Sequence, residues 1–513
     1  PSYITSLEMA NPAAGEAVTF GENGVANLDN FILNGNKMVL NAATAAVTTT
    51  GTELVDAGDT VDMTAGTMNF NGTTTVASTD FKVVGTDSVV NFNADGTDAE
   101  NPGALLSGMI TAADDSSVNF NGAFAKVADT GLIDADTGAK ITFAGANASM
   151  AGKIDANDSA ILFSGDSATV SGIIDGFSNT TVIFSAVNAH VNGGSITVDG
   201  ESTLEFQKAF TVDGGTLTAK TSSWIKFTGA GTLNNAAVTL NDASQLELNA
   251  STDVNGGSIT VNSNSLIDFQ DNAAIKLNFK NGAKLNLNTS ITIDDHYTFE
   301  AGTKINVSGP DTVVTVTNPN VSVDMVNITD DATVIFKVSS TINGLYIVDE
   351  KNLVFENKLT ITATGDLRIT EKGSVEAAAL DVKTGGRISL APVTGSTDPL
   401  KFMFSIQGAV DGLSADDYSE DPVKIGNRIE VKVDGIAADD TKVYSLTQGA
   451  NLKPNLLKVT NGGGEVAVGF ADEQKIAAVG DMVYVTRAAI STDRMILNTA
   501  YTNETVPVVK DGE

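Results

Sequence analysis

The 513-residue chain has no cysteine, one tryptophan, two histidines and ten prolines. Without thiols it can form neither disulfides nor thiolate metal sites, so its stability must come from packing and backbone pairing. This absence does not decide the compartment, since large exported repeat proteins are often free of cysteine. Basic residues are also scarce: 30 Lys and Arg stand against 63 Asp and Glu, for a formal charge of −33. Nucleic acids and anionic membrane surfaces are held through basic patches, and the balance argues against both. No window approaches the ~20 apolar residues of a membrane-spanning helix. The chain begins at Pro1, not Met, which is compatible with a leader removed on export.

What is present points to strands and turns. The 49 glycines accompany many Asn, Thr, Asp, Ala and Val residues, with few long helix-forming stretches. At 42% hydrophobic residues, the chain can bury a core and does not read as a disordered acidic polymer.

The apolar residues repeat. An apolar-x-Phe core recurs at Met68-Asn69-Phe70, Val90-Asn91-Phe92, Val118-Asn119-Phe120, Ile141-Thr142-Phe143, Ile161-Leu162-Phe163, Val182-Ile183-Phe184, Leu204-Glu205-Phe206 and Ile225-Lys226-Phe227. It continues through Leu246-Glu247-Leu248 to Ile267-Asp268-Phe269, and the successive spacings are 22, 28, 23, 20, 21, 22, 21, 21 and 21 residues. A second core keeps step at Ile196-Thr197-Val198, Leu217-Thr218-Ala219, Val238-Thr239-Leu240 and Ile259-Thr260-Val261. The turn before it holds Gly193-Gly194, Gly214-Gly215 and Gly256-Gly257, with Asn235-Ala236 at the remaining place. Strands and turn locked to one period define one structural unit per period.

Leucine-rich and helical repeats lack this content, whereas two or three short period-2 strands per repeat define one coil of a β-helix. The fold expected is all-β, a right-handed parallel β-helix of about 21 residues per coil. Equivalent residues then stack at strand spacing, making the phenylalanines an internal column from Phe143 to Phe227. The middle residues of each core face outward. Glu205, Lys226 and Glu247 should form an exterior ladder of alternating charge worth ~0.2–1 kcal/mol per pair. Leu162 and Ile183 break the polar rule. Either a turn or third strand covers them, or they form a self-association patch.

The pattern also appears at Val18-Thr19-Phe20 and Met38-Val39-Leu40, and later at Leu285-Asn286-Leu287, Ile305-Asn306-Val307, Val334-Ile335-Phe336, Leu353-Val354-Phe355, Leu367-Arg368-Ile369 and Ile388-Ser389-Leu390. Irregular gaps, from Leu40 to Phe70 and from Phe70 to Phe120, predict loops inserted at turns. The division expected is an N-terminal arm over 1–14, a β-helix over 15–395 and a C-terminal β cap or small β domain over 396–513. The helical part should hold about 18 coils in a rod of roughly 85 Å. Beyond 396, eight Lys, three Arg and four of the seven tyrosines appear, with longer strand-like runs at Arg428–Val433, Lys442–Leu446 and Asp481–Val485. A cap suits a solenoid, whose last coil otherwise exposes an unpaired edge.

The run Asn192-Gly-Gly-Ser-Ile-Thr-Val198 with its repeats, followed by Thr441-Lys-Val-Tyr-Ser-Leu-Thr-Gln-Gly449, resembles the passenger region of bacterial autotransporters and related β-helical surface proteins. The resemblance implies a β-helix displayed outside a bacterial cell. That family's C-terminal outer-membrane barrel, with amphipathic strands of ~10 residues, has no counterpart in this sequence. A released passenger, or a secreted relative that assembles differently, is therefore expected.

Chemistry-bearing constellations are sparse. Lyase chemistry on a β-helix needs a basic residue beside acidic ligands, yet Arg occurs in the coiled region only at 368 and 387. Glycosidase chemistry needs a carboxylate pair about 5–10 Å apart, which 63 acids supply by chance. His190 and His296 lack metal-type spacing and read as surface or turn residues, and no phosphate loop is present. Acidic turns at Asp134 and Asp136, Asp155 and Asp158, and Asp294 and Asp295 could offer oxygen ligands to calcium, or be solvated turn acids. No cofactor is otherwise expected. The function expected is a non-enzymatic extracellular structural protein that assembles with copies of itself. An adhesin binding cell-surface or carbohydrate ligands is the alternative, and a polysaccharide-degrading enzyme the second alternative.

Overall fold

A computed structural model describes residues 6–8, 17–28, 30–33, 36–270, 272–370, 372–383 and 386–390, together with strands between Met403 and Thr502. Side-chain exposure follows the period-2 rule. In Ser195–Val198 the isoleucine and valine are buried while the serine and threonine face out. Each coil repeats that choice, so every inward residue gains a neighbour of its own kind one coil away. Parallel strands stack as a β-solenoid of about 17 turns with about 21 residues per coil.

The chain divides into two units, Pro1–Leu285 with Glu300–Thr303, and Asn286–Phe299 with Lys304–Glu513. In the first unit each full coil contributes to three ladders. The first ladder aligns Ile196 with Leu217, Val238 and Ile259. The second aligns Phe143 with Phe163, Phe184 and Phe206. The third aligns Val170 with Val191, Val212, Leu233 and Val254.

Turn chemistry explains the corners. Between the first and second ladders stand consecutive left-handed residues, Ser178 and Asn179, Thr221 and Ser222, Asp242 and Ala243, Ser263 and Asn264, with φ between 41° and 64°. Small polar side chains tolerate that region best, and most of these positions carry one. Before the first ladder, Gly193, Gly214 and Gly256 have φ of 73°, 64° and 70°, and Asn235 takes the same conformation at 49°. Asparagine is the non-glycine residue best suited to it, which explains why Asn235-Ala236 replaces a glycine pair without breaking the period.

A buried hydroxyl ladder runs beside the second strand ladder. The amide of Thr180 donates to Ser202 Oγ, that of Ser202 to Ser223, that of Ser223 to Ser244 and that of Ser244 to Ser265, at 3.0, 3.1, 3.3 and 3.1 Å. These hydroxyls help to satisfy buried amide groups, of which Thr180 and Ser244 also donate to the carbonyls of Phe177 and Asn241. At one end Ser159 Oγ is buried without a partner.

The aromatic column differs from expectation at both ends. Rings stack from Phe70 through Phe92, Phe120, Phe143, Phe163, Phe184 and Phe206, with centroids 4.6–5.1 Å apart and planes within 12°. Below Phe70 the column continues to Thr49 and Leu28. Val18-Thr19-Phe20 and Met38-Val39-Leu40 belong instead to the first ladder, aligned with Val61-Asp62-Met63. The gap from Leu40 to Phe70 is thus a change of ladder and not an insertion. The 28-residue spacing does hold a longer loop, residues 93–103, pinned where Asp98 Oδ1 accepts the amides of Glu100 and Asn101 at 3.1 and 2.8 Å.

At the other end Phe227 leaves the stack. The ring lying on Phe206 is Phe210 of the third ladder, 4.3 Å away, and Phe227 meets Phe206 edge-on at 6.0 Å. Phe210 lies between Ala189 and Gly231 in register. A Cβ at Gly231 would stand 2.2 Å from Phe210 Cζ, so glycine is what admits the ring.

In the second unit Ile291–Ile293, Val313–Val316, Thr333–Phe336, Asn352–Ile361, Ser374–Val382 and Met403–Ile406 form one parallel series. Leu345–Val348, Asp366–Ile369, Arg387–Leu390, Ile429–Val433 and Leu457–Asn461 form another. Parallel pairing therefore runs on across the change in chemistry near 396. Antiparallel pairing joins Leu457–Asn461 to Gly464–Val466, and builds a sheet from Val443–Gln448, Met495–Thr502, Met482–Ile490 and Ile476–Val479. Within the expected N-terminal arm, Ser6–Glu8 pairs in parallel with Asn30–Ile32; the rest of residues 1–14 lies outside the described residues. Among the described residues no helix is long and apolar enough to cross a membrane.

Candidate functional site

Among the described residues of the first unit, three surface features carry chemistry. The first is acidic. Asp134, Asp155 and Asp175 stand directly opposite one another on successive coils, facing out. Lys153 Nζ binds Asp155 at 2.8 Å and Asp175 at 3.3 Å. Asp134 has no such bridge, and partial burial together with the charges of Asp136 and Asp155 raises its pKa above the usual carboxylate value. Asp136 lies opposite Asn157, and Asp158 occupies the following turn with φ of 49°. These acids form a column along the surface, and among the described residues no group of three or more His, Asp or Glu side chains is placed to hold a metal ion. In the second unit Asp294 Oδ1 accepts from the amide of His296 at 3.0 Å and contacts its Nδ1 at 2.9 Å, with Asp295 exposed beside it.

The second feature is apolar. Leu162 and Ile183 are partners across adjacent strands, face outward and are half-buried. Ile173, Phe177 and Val187 in the same stretch of chain are 45%, 38% and 43% exposed. On their ladder Leu162 and Ile183 are flanked by Thr142 and Glu205, whereas Ile173 shares its outward column with Met109, Leu132 and Lys153. Of the expected charge ladder, Lys226 pairs with Glu247 at 3.4 Å, while Glu205 accepts from Gln207 and Thr228 at 3.1 and 3.0 Å.

The third is a hollow of about 420 Å³ on the third ladder, lined by Asn188, Ala189, His190, Ala209, Phe210, Thr211, Asp213, Ala230 and Thr232. His190, Thr211 and Thr232 align on successive strands and point outward. His190 Nε2 lies 2.7 Å from Asp213 Oδ2, and Asn234 donates to Asp213 Oδ1 at 2.5 Å. Those two bonds, the Asn234 bond first, hold the Asp213 carboxyl below its ordinary pKa. The group is thus a fixed anion whose charge is braced from the coils on either side. What this arrangement offers is directed hydrogen bonding beside small apolar patches.

The hollow arises from local sequence. The turn entering the third ladder has left-handed Asn147, Ser167 and Asn188, with φ of 57°, 60° and 59°. Ala209 and Ala230 follow at the equivalent places and do not share that conformation. Sequence reading identified His190 but treated it as an isolated surface group. The available signal was Asp213, one 21-residue coil plus two residues away, which places it on the adjacent strand and the same face. The hydroxyl ladder was also missed, although Ser202, Ser223, Ser244 and Ser265 recur at intervals of 21.

No family model and no curated protein sequence matches the chain.

Proposed function

We propose that this protein is a non-enzymatic structural element of a bacterial surface that assembles through contacts between copies of itself. The observation that carries the reading is the outward apolar pair Leu162 and Ile183, aligned on adjacent strands and flanked on the same ladder by Thr142 and Glu205. Contiguous apolar surface rimmed by polar residues is characteristic of interaction sites, and a second copy is the occupant that a repetitive building element supplies. The surrounding outward side chains favour the same reading, because many are engaged with their own neighbours. Asn119 donates to Asn91 at 2.9 Å, and Asn91 to Asn69 at 2.8 Å. A formal charge of −33 repels copies from one another, so assembly would strengthen when calcium or salt screens it.

The test is electron microscopy and sedimentation of the purified protein with and without calcium, beside a Leu162→Asn/Ile183→Asn variant. Ordered filaments or sheets that weaken in the variant are expected. Monomers under every condition would overturn the proposal.

A further inference from the structure

The hollow at His190 and Asp213 interrupts a regular surface, and its lining restricts what could occupy it. At about 420 Å³ it lies near the lower end of small-molecule sites, which run from about 300 to 1,000 Å³. Five polar side chains, Asn188, His190, Thr211, Asp213 and Thr232, share the wall with Ala189, Ala209, Ala230 and the edge of Phe210. A wholly apolar ligand would cut Asn188, Thr211 and Thr232 off from water without replacing the lost hydrogen bonds. An anion would meet the fixed Asp213 carboxylate inside a strongly acidic molecule. A compact neutral polyol meets neither obstacle, since its hydroxyls both donate and accept while its C–H faces cover small apolar patches.

The side chains are also held in place before any ligand arrives. Asp213 is gripped by His190 from one coil and Asn234 from the next, and Phe210 is 4% exposed and stacked on Phe206. Preorganisation of this kind lowers the ordering cost of binding. We propose that this hollow binds one neutral sugar unit of a glycan, with Thr211, Thr232, Asn188 and His190 bonding its hydroxyls and Asp213 accepting from one of them. The lining of this hollow does not include Leu162 or Ile183, so its test is separate from that of self-assembly.

Saturation-transfer NMR on the full chain tests it, using methyl glucoside, methyl galactoside and N-acetylglucosamine as neutral probes and galacturonate as the anionic one. Transfer from at least one neutral probe is expected, with a dissociation constant of about 1 mM to about 10 mM, and weaker transfer from galacturonate. The Thr211→Val/Thr232→Val variant removes two hydroxyls while keeping β-branched shapes. Ala230→Leu fills the hollow from an exposed turn and provides a second reading if the first variant does not fold. Each should reduce transfer at least tenfold. The proposal is overturned if no neutral probe responds, if galacturonate binds as well, or if folded variants respond like the wild type.

Discussion

From Phe120 to Phe206 and from Phe206 to Gly231, the same coil is built on two different solutions. In the first stretch one ladder supplies every ring, and a small residue fills the matching place on the third ladder, as at Ala148, Ala168 and Ala189. In the second, the third ladder supplies Phe210, and the ring that should have continued the stack tilts to 46° against it. Phe210 is a ring added to the second ladder's own Phe206 and Phe227, all three buried, and the space for it comes from Gly231 on the next coil. Repetition is therefore a property of shared space, and any ladder can supply the large residue if its neighbours give way.

The largest expected effect compares the two stretches directly. Phe163 has rings stacked on both sides at 4.7 and 4.6 Å. Its replacement by Ala should cost about 3–5 kcal/mol. Phe227→Ala should cost less by about 0.5–1.5 kcal/mol, the worth of a well-formed aromatic pair. Chemical denaturation of both variants measures the difference, and equal losses would show that parallel stacking adds nothing over the edge-on and tilted contacts that Phe227 makes with Phe206 and Phe210.

A double-mutant cycle sharpens the second solution. Gly231→Ala drives a methyl group against the Phe210 ring and should destabilise by about 1–3 kcal/mol. Phe210→Ala alone should cost about 3–5 kcal/mol as a cavity. In the double variant the overpacking disappears, since the column then matches Ala148, Ala168 and Ala189. The two losses should therefore fail to add by at least about 1 kcal/mol. Strict additivity would mean that Gly231 is not what admits the ring.

How much of this was legible depended on which residues announced themselves. Large apolar residues at a fixed period disclosed the coil, the inward faces and the glycine turn. Ladder membership in the first coils was hidden, because Met38-Val39-Leu40 and Met68-Asn69-Phe70 share an apolar-x-apolar pattern while serving different ladders. The residue that resolves it, Thr49, is polar yet wholly buried, and so carries no apolar signal. The serine ladder was concealed in the same way, since serine is as common in exposed turns as in buried hydrogen-bonded columns. Candidate site residues followed this division. Leu162 and Ile183 were placed outward by alternation alone, whereas the hollow required knowing that Ala209 and Ala230 abandon the left-handed turn.

Identical side chains one coil apart help inside the solenoid, and the column of Asp134, Asp155 and Asp175 tests the same rule outside. Rings gain from equal neighbours, whereas carboxylates repel unless a cation intervenes, as Lys153 does for Asp155 and Asp175. Asp134 makes no bridge to Lys153, whose charge only partly offsets its burial and the charges of Asp136 and Asp155, and its raised pKa means that the fold disfavours its charged form. Its contribution is most favourable below the ordinary carboxylate value and is lost as the pH rises through the raised folded value. Asp134→Asn should therefore stabilise the protein at neutral pH by on the order of a few tenths of a kcal/mol, the scale of a like-charge cross-strand pair. That gain should vanish in acid. Asp155→Asn, which removes a lysine partner, should have the opposite sign at neutral pH. Thermal unfolding of the two variants at neutral and acidic pH distinguishes them, and a shared sign would mean that Lys153 does not divide this column as its bond lengths indicate.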